Sequence, residues 1–114
     1  GDDTLYVFEA PIDLLSYISL FPEGWQEHNY VACCGTSSIP VLEMLRQLPQ
    51  LRQVYLCLDN DAAGHAASER MAALLKEHGL NAVRLVPQQK DWNDDLKAEQ
   101  ENKMERSELC QTFC

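Results

Sequence analysis

The stretch VYLCLDNDAAGHAASERMAALL, residues 54–75, indicates how this chain folds. Its first part, Val54 to Leu58, is an apolar run of the kind that forms buried strands, and its second part is rich in alanine and leucine, which favour helices. Asp59 and Asp61 stand at the change between the two parts. The pattern therefore predicts a buried strand that leads into a helix, with two carboxylates where the strand ends.

Other segments repeat this order of strand and helix. TLYVFEAPIDLLSYISLF (4–21) predicts a strand and then a helix that begins near Pro11, because proline is tolerated in a first helical turn. NYVACCG (29–35) and SSIPVLEMLRQLP (37–49) predict a second strand and a second helix, and NAVRLVP (81–87) predicts a fourth strand. Strands that alternate with helices indicate an α/β fold, a three-layer sandwich around a central, mainly parallel four-stranded sheet.

The bulk composition is that of one globular domain. The chain has 114 residues, of which 46% are hydrophobic and 24% charged. It contains no apolar run near the roughly 18 residues that a membrane span requires, and no signal peptide is visible. We therefore expect a cytoplasmic protein without a membrane partner. The abrupt start at Gly1 and Asp2 suggests one domain of a longer protein.

Charge and cysteine content restrict the partners. Nine Lys and Arg residues against eighteen Asp and Glu residues give a net charge of −9, which argues against unaided binding to a nucleic-acid backbone. Metal ions or other domains would have to supply positive charge. The cysteine count is odd and no Cys-x-x-Cys motif occurs, so free thiols are favoured over a zinc site, which stays the alternative. The five cysteines are Cys33, Cys34, Cys57, Cys110 and Cys114.

Acidic residues follow three of the four predicted strands. Glu9 follows the first, Asp59 and Asp61 follow the third, and QQKDWNDDL (88–96) follows the fourth with three further aspartates. Because the carboxyl ends of parallel strands share one edge of a sheet, we expect these acids to lie close together. Crowded carboxylates repel each other, which predicts at least one raised pKa and favours a hard divalent cation, Mg²⁺ or Mn²⁺.

Taken singly, each acid also has a structural interpretation. Asp59 or Asp61 can cap the helix that follows, and Asp13 suits the positive end of the first helix dipole. Their predicted convergence on one edge is what favours a metal site. Gly64 fits a tight helix start at which backbone approaches closely.

Four segments together resemble the successive motifs of a Toprim domain: VFEAPIDLLSY (7–17), CCGTS (33–37), VYLCLDNDAAG (54–64) and KDWNDDL (90–96). Toprim is a Rossmann-like, metal-binding α/β module shared by primases, type IA and type II topoisomerases, overcoming-lysogenization-defect nucleases and RecR-type repair proteins. The segments are most similar to primase-type Toprim domains of uncharacterised proteins from bacterial plasmids and conjugative elements. The resemblance implies a catalytic and metal-binding domain over residues 1–96, and we interpret residues 97–114 as its C-terminal helix or tail.

The resemblance also implies roles for individual residues. Glu9 matches the general acid or base, and Asp59 and Asp61 match the Asp-x-Asp metal ligands, so these three are the implied catalytic residues. The implied metal set adds acids that support the site from the first helix and from the fourth strand's loop. These are Asp13, Asp91 and Asp94. Trp92 and Asn93 interrupt the usual Lys-Asp-Pro-Asp motif, so which acid reaches the metal stays open.

The implied activity is Mg²⁺-dependent phosphodiester chemistry on nucleic acid, with primase-like nucleotidyl transfer ahead of nicking, nuclease or topoisomerase activity. The implied partners are DNA, nucleotides and the other domains of a longer chain, without which we expect the chain to be inactive. A non-catalytic assembly module is an alternative. An aspartyl-phosphate phosphatase is disfavoured, because Ala63 stands where its motif has threonine. We interpret Trp92 as a lid packed on the sheet edge, with base stacking as the alternative.

Overall fold

The computed structural model describes the backbone of residues 1–113 and the side chains of residues 1–106. Strands and helices alternate along the chain, as the sequence predicts. They are β1 (Thr4–Phe8), α1 (Pro11–Leu20), β2 (Asn29–Ala32), α2 (Ile39–Gln47), β3 (Gln53–Leu56), α3 (Ala62–Glu77), β4 (Asn81–Arg84) and α4 (Trp92–Phe113). A short 3₁₀ turn, Trp25–Glu27, precedes β2 and was not predicted.

The four strands form one parallel sheet in the order β2-β1-β3-β4. In the centre, β1 pairs with β3, and Val7 lies opposite Leu56. The residues that follow these two strands therefore leave the sheet side by side. The predicted α/β fold with a parallel four-stranded sheet is confirmed.

Helices cover both faces of the sheet. On one face, Val7 and Leu56 pack with Val41 of α2 and Met71 of α3. On the other face, Phe8 and Cys57 pack with Trp92 of α4 and with side chains of α1. This arrangement is the predicted three-layer sandwich.

The last helix begins earlier than the sequence suggested. We expected a helix or tail from residue 97, but α4 starts at Trp92, so Asp94 and Asp95 lie in its first turn rather than in a loop. Asp91 precedes the helix, and its Oδ1 accepts a hydrogen bond from the N–H of Asp94 at 2.8 Å. This cap explains the early start. The helix runs on without a break past residue 96, and the division into 1–96 and 97–114 stays a prediction; Cys114 lies outside the described residues.

Trp92 is part of the core. Its side chain is 6% exposed, its Nε1 donates to the carbonyl oxygen of Cys57 at 3.0 Å, and its ring meets that of Tyr17 edge-on. The ring is thus packed on the sheet, as in the lid interpretation, and its faces are not available for base stacking.

Three cysteines have described side chains, namely Cys33, Cys34 and Cys57, and all three are free thiols. The side chains of Cys110 and Cys114 lie outside the described residues. Within residues 1–113, no helix has both the length and the apolar character needed to cross a membrane.

Candidate functional site

Glu9 and Asp59 meet at the carboxyl edge of the sheet. Glu9 follows β1 directly, and Asp59 lies three residues beyond the end of β3, the neighbouring strand. The backbone N–H of Asp59 donates to Oε1 of Glu9 at 3.2 Å. The pairing of β1 with β3 thus brings together two acids that are far apart in sequence.

The Asp59 carboxylate is the most perturbed acid at this edge. Its Oδ1 is buried and has no hydrogen-bond partner among the described residues. Burial raises the pKa of Asp59 to about 7, and the neighbouring charges of Glu9, Asp13, Asp91 and Asp61 add to the increase. The predicted raised pKa is therefore present, and its cause is partial desolvation beside like charges.

Asp61 is the N-cap of α3. One of its oxygens, Oδ1, accepts a hydrogen bond from the N–H of Gly64 at 2.7 Å. The structural interpretation of this residue is thus realised, but a carboxylate has two oxygens and the cap uses one of them. Gly64 is required here because a Cβ atom at this position would overlap the carbonyl oxygen of Asp59.

Asp13 lies beneath the site, where α1 meets the start of α4. It is 4% exposed, and its Oδ1 accepts a hydrogen bond from the N–H of Asn93 at 3.2 Å. Burial raises the pKa of Asp13, the hydrogen bond from Asn93 opposes that increase, and the charges of Asp91, Glu9 and Asp94 add to it. Asp13 therefore joins two helices and also contributes negative charge to the site.

The aspartates of the β4–α4 segment have different tasks. Asp91 caps α4 and Asp94 lies in its first turn. Asp95 accepts hydrogen bonds from the N–H groups of Gln88 at 2.9 Å and Gln89 at 2.7 Å. Both oxygens of Asp95 hold the loop that leads into the helix, so this residue is structural.

Among the described residues, no three His, Cys, Asp or Glu side chains already stand in an arrangement that could hold a metal ion. The edge nevertheless has properties that suit a hard divalent cation. Its donors are carboxylate oxygens, and Asp59 Oδ1 is buried without a partner. The neighbouring acids disfavour the charged form of Asp59. These are the properties that Mg²⁺ or Mn²⁺ would compensate.

Arg84, the last residue of β4, is a site residue that the sequence analysis missed. Its Nη1 donates to the carbonyl oxygen of Leu58 at 2.6 Å, and its Nη2 donates to that of Asp59 at 2.7 Å. The pKa of Arg84 is lowered overall, because the effect of burial outweighs the opposing effect of nearby negative charge. That charge comes from Cys57, Glu9, Asp59 and Asp61. The available signal was a charged residue inside the otherwise apolar run AVRLV, residues 82–86.

Comparisons with known proteins agree with this architecture. The family described as Toprim-like matches residues 6–96. Among curated proteins, the chain is 32% identical over 96 residues to an uncharacterised protein of Mycoplasma pneumoniae and 25% identical over 95 residues to one of Mycoplasma genitalium. Each alignment covers 82% of this chain, but only 43% and 41%, respectively, of the relative. The chain thus spans less than half the length of these relatives.

Two solved structures share the fold. One is the primase fragment of the bacteriophage T7 primase-helicase, with a TM-score of 0.65 and 25% identity over 92% of this chain and 44% of the other. The second contains T7 primase domains with the lagging-strand DNA polymerase, an RNA/DNA hybrid and dTTP. It has the same score and identity, and the match covers 92% of this chain and 53% of that one.

Proposed function

Because the chain belongs to the Toprim-like family, we propose that it carries out Mg²⁺-dependent phosphodiester chemistry on nucleic acid, with primase-like nucleotidyl transfer as its reaction. The observation that carries the proposal is the pairing of Glu9 with Asp59 at the carboxyl edge, where Asp59 Oδ1 is buried without a described partner. A carboxylate in this state suits a cation better than it suits a structural role.

The similarity to the T7 primase fragment supports primase-like transfer ahead of nicking, nuclease or topoisomerase activity. The tyrosines also speak against a topoisomerase nucleophile within this domain. Tyr6 stacks on Tyr30 and on Tyr55, with ring centroids 5.4 Å and 4.9 Å apart, and it also contacts Tyr17. Rings packed in one cluster on the sheet are poorly placed to attack a phosphate.

The proposed partners are nucleic acid, nucleotides and further protein domains. An RNA/DNA hybrid and dTTP accompany the T7 primase domains in one of the similar structures. With a net charge of −9, this chain needs cations or a basic neighbouring domain to approach a phosphate backbone. We therefore propose that other domains hold the template while this domain supplies the metal site.

Within the site, we assign the cation to Glu9, Asp59 and Asp61, with Asp13, Asp91 and Asp94 as the surrounding acids. When bound, Mg²⁺ or Mn²⁺ stabilises the charge that develops on the phosphate oxygens during in-line displacement. Glu9 accepts the Asp59 N–H through Oε1, which orients its carboxylate. Its other oxygen then exchanges a proton with the attacking or leaving oxygen.

A second candidate is a non-catalytic assembly module. The observation in its favour is that Asp61, Asp91 and Asp13 each accept a backbone N–H and thereby serve the fold. Such a module would not need a cation at Glu9 and Asp59. Metal binding therefore separates the two candidates.

The test is Mn²⁺ binding followed by electron paramagnetic resonance, together with thermal unfolding in Mg²⁺. At a free metal concentration 100 times the Kd, the wild-type chain should gain about 2.7 kcal/mol in the free energy of unfolding. The double variant Asp59→Asn/Asp61→Asn should lose both the Mn²⁺ binding and this stabilisation. The matched control is Asp2→Asn/Asp3→Asn, which removes two acids from the opposite edge of the sheet. Equal metal responses in all three proteins would contradict the proposal.

Catalysis is tested in the protein that carries this domain together with its other domains. Nucleotide incorporation on a single-stranded DNA template should require the divalent cation and should be lost in Asp59→Asn/Asp61→Asn. Template-independent cleavage of the same DNA, with no incorporation, would instead favour the nuclease alternative.

A further inference from the structure

Arg84 contacts the backbone of the site rather than its carboxylates. The guanidinium bonds the carbonyl oxygens of Leu58 and Asp59, and it forms no ion pair with a carboxylate among the described residues. An arginine beside several acids would be expected to pair with a carboxylate, because bidentate pairing with a carboxylate is stronger than hydrogen bonding to neutral carbonyl oxygens. It leaves the carboxylate oxygens available for other ligands.

The two carbonyls lie beyond the point where the sheet can satisfy them. Arg84 pairs in register with Leu56, and the N–H of Leu85 donates to the carbonyl oxygen of Leu56. β4 ends at Arg84, and the chain then enters the loop that leads to α4. The guanidinium therefore takes the place of a continuing strand and extends the support of β3 as far as Asp59.

The peptide of Asp59 is held from two directions. Nη2 of Arg84 bonds its carbonyl oxygen on one side, and the backbone of Gly64 packs so closely against the same oxygen that no side chain would fit. Arg84 Nη2 also lies 3.4 Å from Nδ1 of His65 in the first turn of α3. One side chain thus fixes β3 and α3 relative to each other where the Asp pair begins.

We propose that Arg84 is a positioning residue for the divalent cation: it holds the peptides that carry Asp59 toward the site without occupying any carboxylate oxygen. This inference rests on the proposed function, since it requires a cation at the site. The alternative to a positioning role is a purely electrostatic role, in which the Arg84 guanidinium only offsets the negative charge of the acids.

The two roles predict opposite effects on metal affinity. If Arg84 only offset negative charge, its removal would leave the acids more attractive to a cation, and Mn²⁺ would bind more tightly. If it positions Asp59, its removal releases the backbone and Mn²⁺ binds more weakly. Loss of groups that orient metal ligands typically weakens binding by about 10–100-fold.

The experiment measures the Kd of Mn²⁺ by electron paramagnetic resonance for the wild-type chain, Arg84→Met and Arg84→Lys. Arg52→Met is the matched control, because Arg52 also donates to two backbone carbonyls, those of Pro49 and Leu51, but lies at the other edge of the sheet. We expect Arg84→Met to weaken Mn²⁺ binding at least about 10-fold and Arg52→Met to leave it unchanged. Unchanged or tighter binding by folded Arg84→Met would overturn the inference.

Arg84→Lys covers the case in which Arg84→Met does not fold. Lysine keeps the charge but cannot span two carbonyls with a rigid fork, so a positioning role predicts weaker binding and a charge role predicts wild-type affinity. Wild-type affinity in a folded Arg84→Lys therefore refutes the inference on its own. Failure of the wild-type chain to bind Mn²⁺ is a separate result, since it would refute the proposed function and the inference with it.

Discussion

Aspartates at the two edges of the sheet differ in their hydrogen-bond partners and in the direction in which their pKa is shifted. At the amino edge, Asp2 accepts the N–H of Thr4 through Oδ1 at 2.9 Å, and its Oδ2 lies 2.8 Å from Nδ1 of His28. Burial alone would raise the pKa of Asp2, but the interactions with Thr4 and His28 outweigh it and hold the pKa below its usual value. Every described contact of this carboxylate favours its charged form.

At the carboxyl edge, Asp59 has a buried oxygen without a described partner and a pKa raised to about 7. The comparison shows that this fold can satisfy an aspartate at a strand end and does so where the acid is structural. The unsatisfied acid lies where a ligand is expected. Such a local departure from stability is a common sign of a functional site.

The largest expected effect concerns Glu9. Glu9→Gln keeps an oxygen that can accept the Asp59 N–H but cannot exchange a proton at neutral pH, so nucleotidyl transfer in the protein with its other domains should fall by about 10²–10⁴-fold. Metal affinity should fall less than in Asp59→Asn. Steady-state incorporation rates at saturating Mg²⁺ test this, with Glu27→Gln near the amino edge as the control. Full activity in Glu9→Gln would refute the acid–base role.

Gly64→Ala should break the carboxyl edge sterically. In most helices this change stabilises by about 1 kcal/mol, but here the new Cβ would overlap the carbonyl oxygen of Asp59. We expect a net loss of about 1–3 kcal/mol in the free energy of unfolding, measured by urea denaturation. Ala66→Gly, at an exposed position of the same helix, sets the scale of the intrinsic helix effect. A stabilised Gly64→Ala would show that the close approach is not required.

Asp59→Asn should stabilise the metal-free protein above neutral pH. The pKa of Asp59 is about 7 in the folded state against an ordinary value of 3.8, so the folded state retains a proton that the unfolded state loses. Stability should then fall as pH rises from about 4 to about 7. The variant lacks this fall and should gain about 1 kcal/mol at pH 8, after allowance for solvent screening. Denaturation in chelator at pH 4 and pH 8 measures the difference, and parallel pH profiles would contradict it.

Asp2→Asn should show the opposite sign and the smallest size. The lowered pKa of Asp2 means that its charged form contributes stability above its ordinary pKa, and that this contribution disappears as pH falls through the folded value. The variant should therefore lose up to about 1 kcal/mol at neutral pH and nothing in strong acid. The same denaturation series measures it. A gain in the free energy of unfolding of Asp2→Asn at neutral pH would contradict the proposed difference between the two edges.

The sequence predicts the frame of the site well. Apolar runs locate the four strands, and the rule that parallel strands share a carboxyl edge brings Glu9 to Asp59. The need for close approach at Gly64 also follows from the sequence, because few residues other than glycine permit it. These features depend on side-chain type and spacing, which a sequence displays directly.

Other features depend on backbone partners, which a sequence does not display. The sequence shows Arg84 only as a polar residue of a strand, yet its shortest hydrogen bonds go to carbonyl oxygens 25 and 26 residues away. The early start of α4 likewise depends on the Asp91 cap and on the burial of Trp92 against Cys57. Any residue type can offer a carbonyl, so nothing at positions 58 and 59 marks them as partners of Arg84.

The site is assembled from segments that are remote along the chain. The bond between Asp59 and Glu9 joins residues 50 apart, and that between Asn93 and Asp13 joins residues 80 apart. Contacts of this range form late, after the chain entropy of long loops has been overcome. A folding chain would thus have no cation site until β1 pairs with β3 and brings Glu9 to Asp59. Divalent ions should therefore slow unfolding and leave the folding rate almost unchanged. The metal would stabilise the completed fold and take no part in the folding nucleus.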